Sequence, residues 1–458
     1  MKRAILMLAL AASACAGPRP VVPRSAAALP PPEWRDRVAT DARVDARWWQ
    51  GFGDPVLTSL VEHALTNNVD IEIAAERVEE ARANFRLAGA QQLPDLSLAA
   101  GGQRDRHVDA FGQAVLETAG QGQVAISYDL DLFGRLRNAT AAARATLLAS
   151  EAARDNVRLA VAASVASGYI QLRALDARLT VLQETLASRD ASLRVAERRT
   201  GTGYSTTLEL RQAQAQREDA AQLIPATQLA IRRQEDGLSV LLGANPGPIP
   251  RGAALDALTL PQPATVMPAA LLRRRPDMVA AEQQLVSADR SLDSVRAAFL
   301  PSIQLNGTGG YVASSLLMSN PVGVFALGGS ILAPLFDAGR LRAQQKGAAA
   351  QRDVAAFAYR QVALNAFREV EDALDAVART DEQEVALMRE QQAASSLLTL
   401  ATKRYRDGYS PYLEQVDAER GLLTTDLAVV QLRADRLTSA VTLYQAAGGG
   451  WGSSALAS

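Results

Sequence analysis

One cysteine and two histidines are all that the chain offers to thiol and imidazole chemistry. Cys15 closes the run Ala12-Ser13-Ala14-Cys15. That run follows a charged start, Met1-Lys2-Arg3, and an apolar stretch from Ala4 to Ala12 that is far too short to cross a bilayer. Small residues ahead of a cysteine at the end of an export signal point to cleavage before Cys15 and lipidation of Cys15 as the new N-terminus. The alternative is an ordinary secretory signal with an incidental cysteine. Ala16 follows, where an Asp would mark inner-membrane retention, so the signal fits sorting to the outer membrane. A single cysteine excludes an intrachain disulfide and a cysteine-rich zinc site. His63 and His107 lie far apart in different elements and read as surface or packing residues, not ligands. A hydrolase finds no support: there is no GxSxG element, no histidine beside an acid pair and no glycine-rich phosphate loop. The balance of 48 Lys+Arg against 49 Asp+Glu removes the basic excess that nucleic-acid binding needs. No catalytic residue, metal site or cofactor is expected, apart from the covalent lipid on Cys15.

The elements that would carry a function must therefore be read from pattern. The length of 458 residues suggests about three globular domains. Composition argues otherwise: aromatic residues make up 5% against 48% hydrophobic residues, so small aliphatic side chains dominate and suit close helix packing. After the signal no stretch of 18 apolar residues occurs, so no membrane-spanning helix is expected. Entry into a membrane would have to be by lipid or by strands. Residues 16–32, rich in Pro and Ala, read as an extended tether.

The chain repeats itself. Gln92-Leu93-Pro94-Asp95 and Phe299-Leu300-Pro301-Ser302 lie 207 residues apart, as do Asn68-Val69-Asp70-Ile71 and Arg275-Pro276-Asp277-Met278. Further on the offset is 205: Thr202-Gly203-Tyr204-Ser205 answers Asp407-Gly408-Tyr409-Ser410, and Leu208-Glu209 answers Leu413-Glu414. Between them, Leu132-Phe133-Gly134-Arg135-Leu136 answers Leu335-Phe336-Asp337-Ala338-Gly339-Arg340-Leu341 with two extra residues. Each half reads helix, strand, strand, very long helix, helix. In the first, Val56 to Leu87 forms one amphipathic helix, which Leu93-Pro94 stops. Arg135 to Thr200 contains no Pro and one Gly, and at 1.5 Å per residue spans roughly 100 Å. Its Val165, Leu172, Leu175, Leu179, Leu182, Leu186 and Leu193 keep the spacing of a coiled-coil seam. Pro225 should kink the return helix. Helices this long imply a tube or a rod.

Between the helices, Val124, Ile126, Tyr128 and Leu130 alternate with polar or small neighbours, as do Leu96, Leu98 and Ala100, and Ile303, Leu305 and Tyr311. Apolar-out, polar-in segments of about 9–11 residues suit a transmembrane β-barrel. The fourth segment, Gly323 to Leu332, is more uniformly apolar and fixes its faces poorly. The competing reading is two amphipathic hairpins on a soluble core. Four strands cannot close a barrel, and an open edge cannot face lipid, so transmembrane strands would require several copies in one barrel.

The order of elements and the motifs Trp48-Trp49-Gln50-Gly51-Phe52-Gly53-Asp54-Pro55, Arg273-Arg274-Arg275-Pro276-Asp277, Leu300-Pro301, Pro334-Leu335-Phe336-Asp337-Ala338-Gly339-Arg340 and Leu443-Tyr444-Gln445-Ala446-Ala447-Gly448-Gly449-Gly450-Trp451 resemble the TolC/OprM-type outer-membrane efflux channels. Cys15 places the likeness in their lipoprotein branch. The resemblance implies a mainly α fold with a small β part. Two tandem repeats of long coiled-coil helices form an α-barrel, and four transmembrane strands per protomer join a trimeric 12-stranded β-barrel. It divides the chain into a signal peptide (1–14), a lipidated tether (15–50), a first repeat (51–250), a linker (251–268), a second repeat (269–447) and a tail (448–458). The first repeat holds strands near 95–105 and 122–131 and helices at 135–200 and 206–242. The second holds strands near 302–312 and 323–333 and helices at 339–405 and 411–446. The implied function is a passive export duct for drugs or other small molecules, working as a homotrimer in the outer membrane with a periplasmic adaptor and an inner-membrane pump of the resistance-nodulation-division type. No enzymatic role and no nucleic acid are implied. A periplasmic coiled-coil adaptor or scaffold lipoprotein is the alternative, though adaptors carry a single helical hairpin.

In that family the helix-to-helix turns form a periplasmic gate. Matched motif by motif, Tyr405, Glu414 and Asp417 fall near the second-half turn and Glu209 near the first. Gly203 and Gly408 form the turns. Ser410 stands at the matched position of one partner arginine of the best-known member, so that particular ion pair is expected to be absent. Asp417 lies three residues after Glu414, on the same side of the return helix. Tyr405 is expected to hydrogen-bond across the turn. Rings of acids about a threefold axis would favour cations; the plain alternative is that these acids are solvated bend residues.

Overall fold

The computed structural model describes residues 18–35, 45–108, 110–261, 267–319 and 321–450. The signal peptide, Cys15 and residues 451–458 of the tail lie outside them. The first repeat comprises α1 (Pro55–Asn67), α2 (Val69–Ala90), β1 (Asp95–Val108), β2 (Ala114–Asp129), α3 (Arg135–Gly201) and α4 (Thr207–Leu241). The second comprises α5 (Pro268–Arg274), α6 (Pro276–Ala297), β3 (Ser302–Ser314), β4 (Val322–Leu332), α7 (Arg340–Arg406) and α8 (Tyr412–Ala446). The duplication shows in the lengths: α2 and α6 each have 22 residues, α3 and α7 each 67, α4 and α8 each 35. α4 runs unbroken through Pro225.

The chain divides into two compact units. One contains Glu76–Glu151 and Ala280–Gln361 together with the described N-terminal residues 18–28. Its four strands form one antiparallel sheet in the order β1-β2-β3-β4. The register puts apolar side chains in rows on a single face. Leu96, Ile126, Gly307 and Leu327 make one row, and Leu98, Val124, Gly309 and Phe325 the next. Large side chains lie over glycines of the neighbouring strand. A Cβ on Gly307 would come within 2.9 Å of Ile126 and 3.0 Å of Leu327. The opposite face carries Gln103, Gln123, Ser127, Gln304, Asn306 and Ser330. This pairing also assigns the faces of β4, which composition left open: Phe325, Leu327 and Ile331 join the apolar face. Leu96, Leu98, Phe325, Leu327 and Ile331 are all exposed in the single chain.

Strand extents differ from expectation. β2 begins at Ala114 and not near 122, and β1 runs on to Val108, because each strand continues as long as its partner supplies backbone groups, irrespective of side-chain alternation. The single helix expected from Val56 to Leu87 is two. Asn68 interrupts it, accepting from the backbone N–H of Asp70 (2.9 Å) and Ile71 (3.2 Å) as an N-cap, and donating to Leu241 O (2.8 Å). Arg275, its counterpart in the second repeat, separates α5 from α6 and donates to Ala446 O at 3.0 Å. Residues of different chemistry thus fasten the same break to the end of the same return helix in each half. The segment read as a tether is held down. Arg352, buried, donates to Pro20 O (2.5 Å) and Val21 O (3.2 Å), and Arg19 pairs with Asp289 (2.7 Å) and Asp293 (3.0 Å).

The other unit contains Leu29–Ala75, Ala152–Val279 and the chain from Val362 onward. Here Trp48 stacks on Tyr444 at 5.5 Å. Asp54, 1% exposed, caps α1 through Val56 N (2.8 Å) and accepts from Tyr169 Oη (2.8 Å) and Ala253 N (2.9 Å). Of the expected seam, Val165, Leu172 and Leu182 are buried, while Leu175, Leu179, Leu186 and Leu193 remain half-buried.

Candidate functional site

The turns that close the two long hairpins share one geometry. After α3, Tyr204 N donates to Arg199 O (2.8 Å) and Gly203 N to Thr200 O (3.1 Å); after α7, Tyr409 N donates to Arg404 O (2.8 Å) and Gly408 N to Tyr405 O (3.1 Å). This is the Schellman termination, which requires a left-handed residue after the helix. Gly203 (φ 79°) and Gly408 (φ 81°) supply it. Thr206 then caps α4 by accepting from Glu209 N at 3.3 Å.

These turns bring four helices to one small core: Ala196 of α3, Ala213 of α4, Tyr405 of α7, and Tyr412 and Val416 of α8, with Leu193 and Leu210 packed against it. Tyr405 is 8% exposed. Its hydroxyl donates to Glu209 Oε2 at 3.3 Å, and Ser205 also donates to that oxygen. Sequence places Tyr405 across its own turn; the structure joins it to the turn of the other repeat. The Arg199 guanidinium lies 4.8 Å from the centre of the Tyr405 ring and donates to Arg406 O at 3.0 Å. Burial pushes the Tyr405 hydroxyl above its ordinary range, with the Arg199 guanidinium pulling the other way. Tyr412, 5.1 Å from Tyr405 ring to ring, is pushed up further by burial and by the nearby Glu419 carboxylate.

Glu414 and Asp417 are exposed. Glu414 is 3.6 Å from Arg404, a neighbour the sequence did not suggest. Among the described residues Asp417 forms no ion pair. Ser410 has a covered hydroxyl without a hydrogen-bond partner. Sequence reasoning also missed the charges buried next to the turns. Glu419, 7% exposed, accepts from Gln415 (2.8 Å) and Ser192 (3.4 Å), and its second oxygen is unpartnered. Arg189, 3% exposed, donates to Gln216 O at 2.5 Å and leaves Nε unpartnered. Burial lowers the Arg189 guanidinium, and the Glu419 carboxylate opposes that shift. Nothing in one-dimensional spacing distinguishes these two from the many solvated Glu and Arg residues of the same helices.

The family described as outer membrane efflux protein matches this chain twice, over residues 60–244 and 267–449, one match for each repeat. The chain belongs to that family. Among relatives of this outer membrane efflux protein, the pyoverdine export outer membrane protein OpmQ of Pseudomonas putida is 34% identical over 98% of this chain and 97% of its own. In fold, a membrane protein from Pseudomonas aeruginosa superposes with a TM-score of 0.84 at 30% identity, covering 94% of this chain and 98% of that one. The outer membrane protein VceC from Vibrio cholerae gives 0.83 at 28%, covering 89% and 100%. The chain is thus an outer-membrane transport component, and the scaffold alternative falls away.

Proposed function

We propose that three copies of this chain form the outer-membrane duct of a tripartite efflux assembly, passing drugs or other small molecules outward. The observation that carries this reading is the sheet. One face is apolar across all four strands, yet β1 and β4 leave open edges that lipid does not tolerate. Three such sheets joined edge to edge give twelve strands and no edge. The apolar face extends from Gly122 on β2 to Leu130, which follows β2 and still donates to Ile303 O of β3: nine residues, about 30 Å of extended chain, and roughly 22 Å of height at a 40° tilt, close to the apolar band of outer-membrane barrels. The long helices would form a periplasmic tunnel, and lipid on Cys15 would anchor each protomer. No cofactor besides that lipid is invoked. The α3–α4 and α7–α8 turns are the gate, facing a periplasmic adaptor and an inner-membrane pump of the resistance-nodulation-division type. The Tyr405–Glu209 bond ties the two turns of one protomer, while Glu414 and Asp417 supply a negative aperture. Mass spectrometry of the mature protein tests the anchor: a lipidated Cys15 at the N-terminus is expected, and an unmodified thiol contradicts it. Planar-bilayer recording tests the duct: a closed-resting, cation-preferring channel is expected, and absence of any channel from correctly assembled protein contradicts it.

A further inference from the structure

The β1–β2 hairpin carries a constellation that the duct does not use. The register sets Asp105 directly opposite Glu117, and His107 follows Asp105 by two, so all three share one face of the sheet. This is the face of Gln103, Gln121 and Gln123; Arg104 and Arg106 belong to the other, where they end the apolar band. His107 Nδ1 lies 3.1 Å from Asp105 Oδ2, and Ser314 of β3 donates to Glu117 Oε1 at 2.7 Å. One ligand atom from each of the three lies within 4.8 Å of the others. Two features are unexplained by packing. Carboxylates set directly opposite on antiparallel strands repel, and among the described residues no Arg or Lys is ion-paired with either. Asp105 Oδ1 is also covered and has no hydrogen-bond partner.

We propose that Asp105, His107 and Glu117 bind a divalent transition-metal cation of the zinc class. A cation among them removes the repulsion, gives Oδ1 a partner and takes up the imidazole in place of its hydrogen bond to Asp105. Calcium and magnesium sites are built from oxygen alone, whereas one imidazole with two carboxylates is a mixed set that suits zinc and its neighbours. Three protein ligands leave a further position to water. Bound there, the ion clips β1 to β2 beyond the apolar band and holds the hairpin end. His107 reads in sequence as a surface residue because its partner Glu117 reaches it only through strand pairing. The site lies within one sheet of one chain and does not depend on the trimer or the duct.

The test is zinc titration of the full mature protein in detergent after chelator treatment, with bound metal per chain read by elemental analysis and affinity by calorimetry. One zinc per chain is expected in the wild type. His107→Ala, and separately the pair Asp105→Asn with Glu117→Gln, should weaken binding by about tenfold or more. His63→Ala should leave it unchanged. No stoichiometric zinc in the wild type, wild-type affinity in His107→Ala, or an equal loss in His63→Ala would each overturn the site.

Discussion

The Tyr405 hydroxyl donates to the Glu209 carboxylate at 3.3 Å and so joins the last turn of α7 in the second repeat to the first turn of α4 in the first. Ser205 also donates to the Glu209 carboxylate, and the Thr206 hydroxyl accepts from the Glu209 backbone N–H. A single neutral-donor bond of this kind contributes about 1 kcal/mol. If it holds the turns in the resting arrangement, Tyr405→Phe keeps the buried ring and raises resting conductance about fivefold in planar-bilayer recordings. Unchanged conductance would assign Tyr405 to packing alone.

Charge at the turns gives a second expectation. Arg404 stands beside Glu414, whereas Asp417 has no ion pair among the described residues. Glu414→Ala with Asp417→Ala should lower the cation preference of the resting pore, and Arg404→Ala should raise it. Reversal potentials in a salt gradient read both signs. An unchanged preference in the double variant would return these acids to the class of solvated bend residues.

A third concerns Asp54 and Tyr169. Burial, reinforced by the Asp54 carboxylate, pushes the Tyr169 hydroxyl up to about 12 against the pull of the Gly252 N–H. The unfolded value is about 10. The folded protein therefore holds this proton more tightly, and the associated stability, of order 2–3 kcal/mol, is fully present below pH 10 and lost as pH rises towards 12. Thermal unfolding of wild type and Tyr169→Phe should show a gap in Tm at pH 9 that shrinks by pH 11.5. A gap independent of pH would contradict the coupling.

Ile126 and Ile303 lie on the apolar face, Ile126 over Gly307 and Ile303 paired with Ile331. Arg at either position should cost about 2–4 kcal/mol in the bilayer and deplete assembled protein from outer-membrane fractions. Arg at Gln123, on the opposite face, should be tolerated. Normal assembly of both Ile variants would mean that the faces are assigned wrongly, and a failure of the Gln123 variant alone would mean that they are exchanged.

Legibility in the sequence followed locality. The long helices, their glycine turns and the twofold repeat rest on spacing within a segment, and periodicity recovers them closely. The break at Asn68 was hidden because an N-cap in the middle of an amphipathic run preserves the apolar period. β2 was truncated because residues 114–121 owe their strand conformation to pairing with β1. The faces of β4 needed the register of β3. At the turns, sequence supplied Glu209, Tyr405, Glu414 and Asp417 but missed Arg189, Arg199, Arg404 and Glu419. Their contacts arise only where α3, α4, α7 and α8 converge, and the approach of His107 and Glu117 likewise needs strand pairing.

The most direct test is the mass of the mature protein in mild detergent, measured by light scattering on the same sample whose single-channel conductance is recorded. Three chains per particle, forming one conducting unit, are expected from a sheet with two open edges. A stable monomer that conducts on its own would contradict the shared barrel, and with it the assignment of the four strands to lipid.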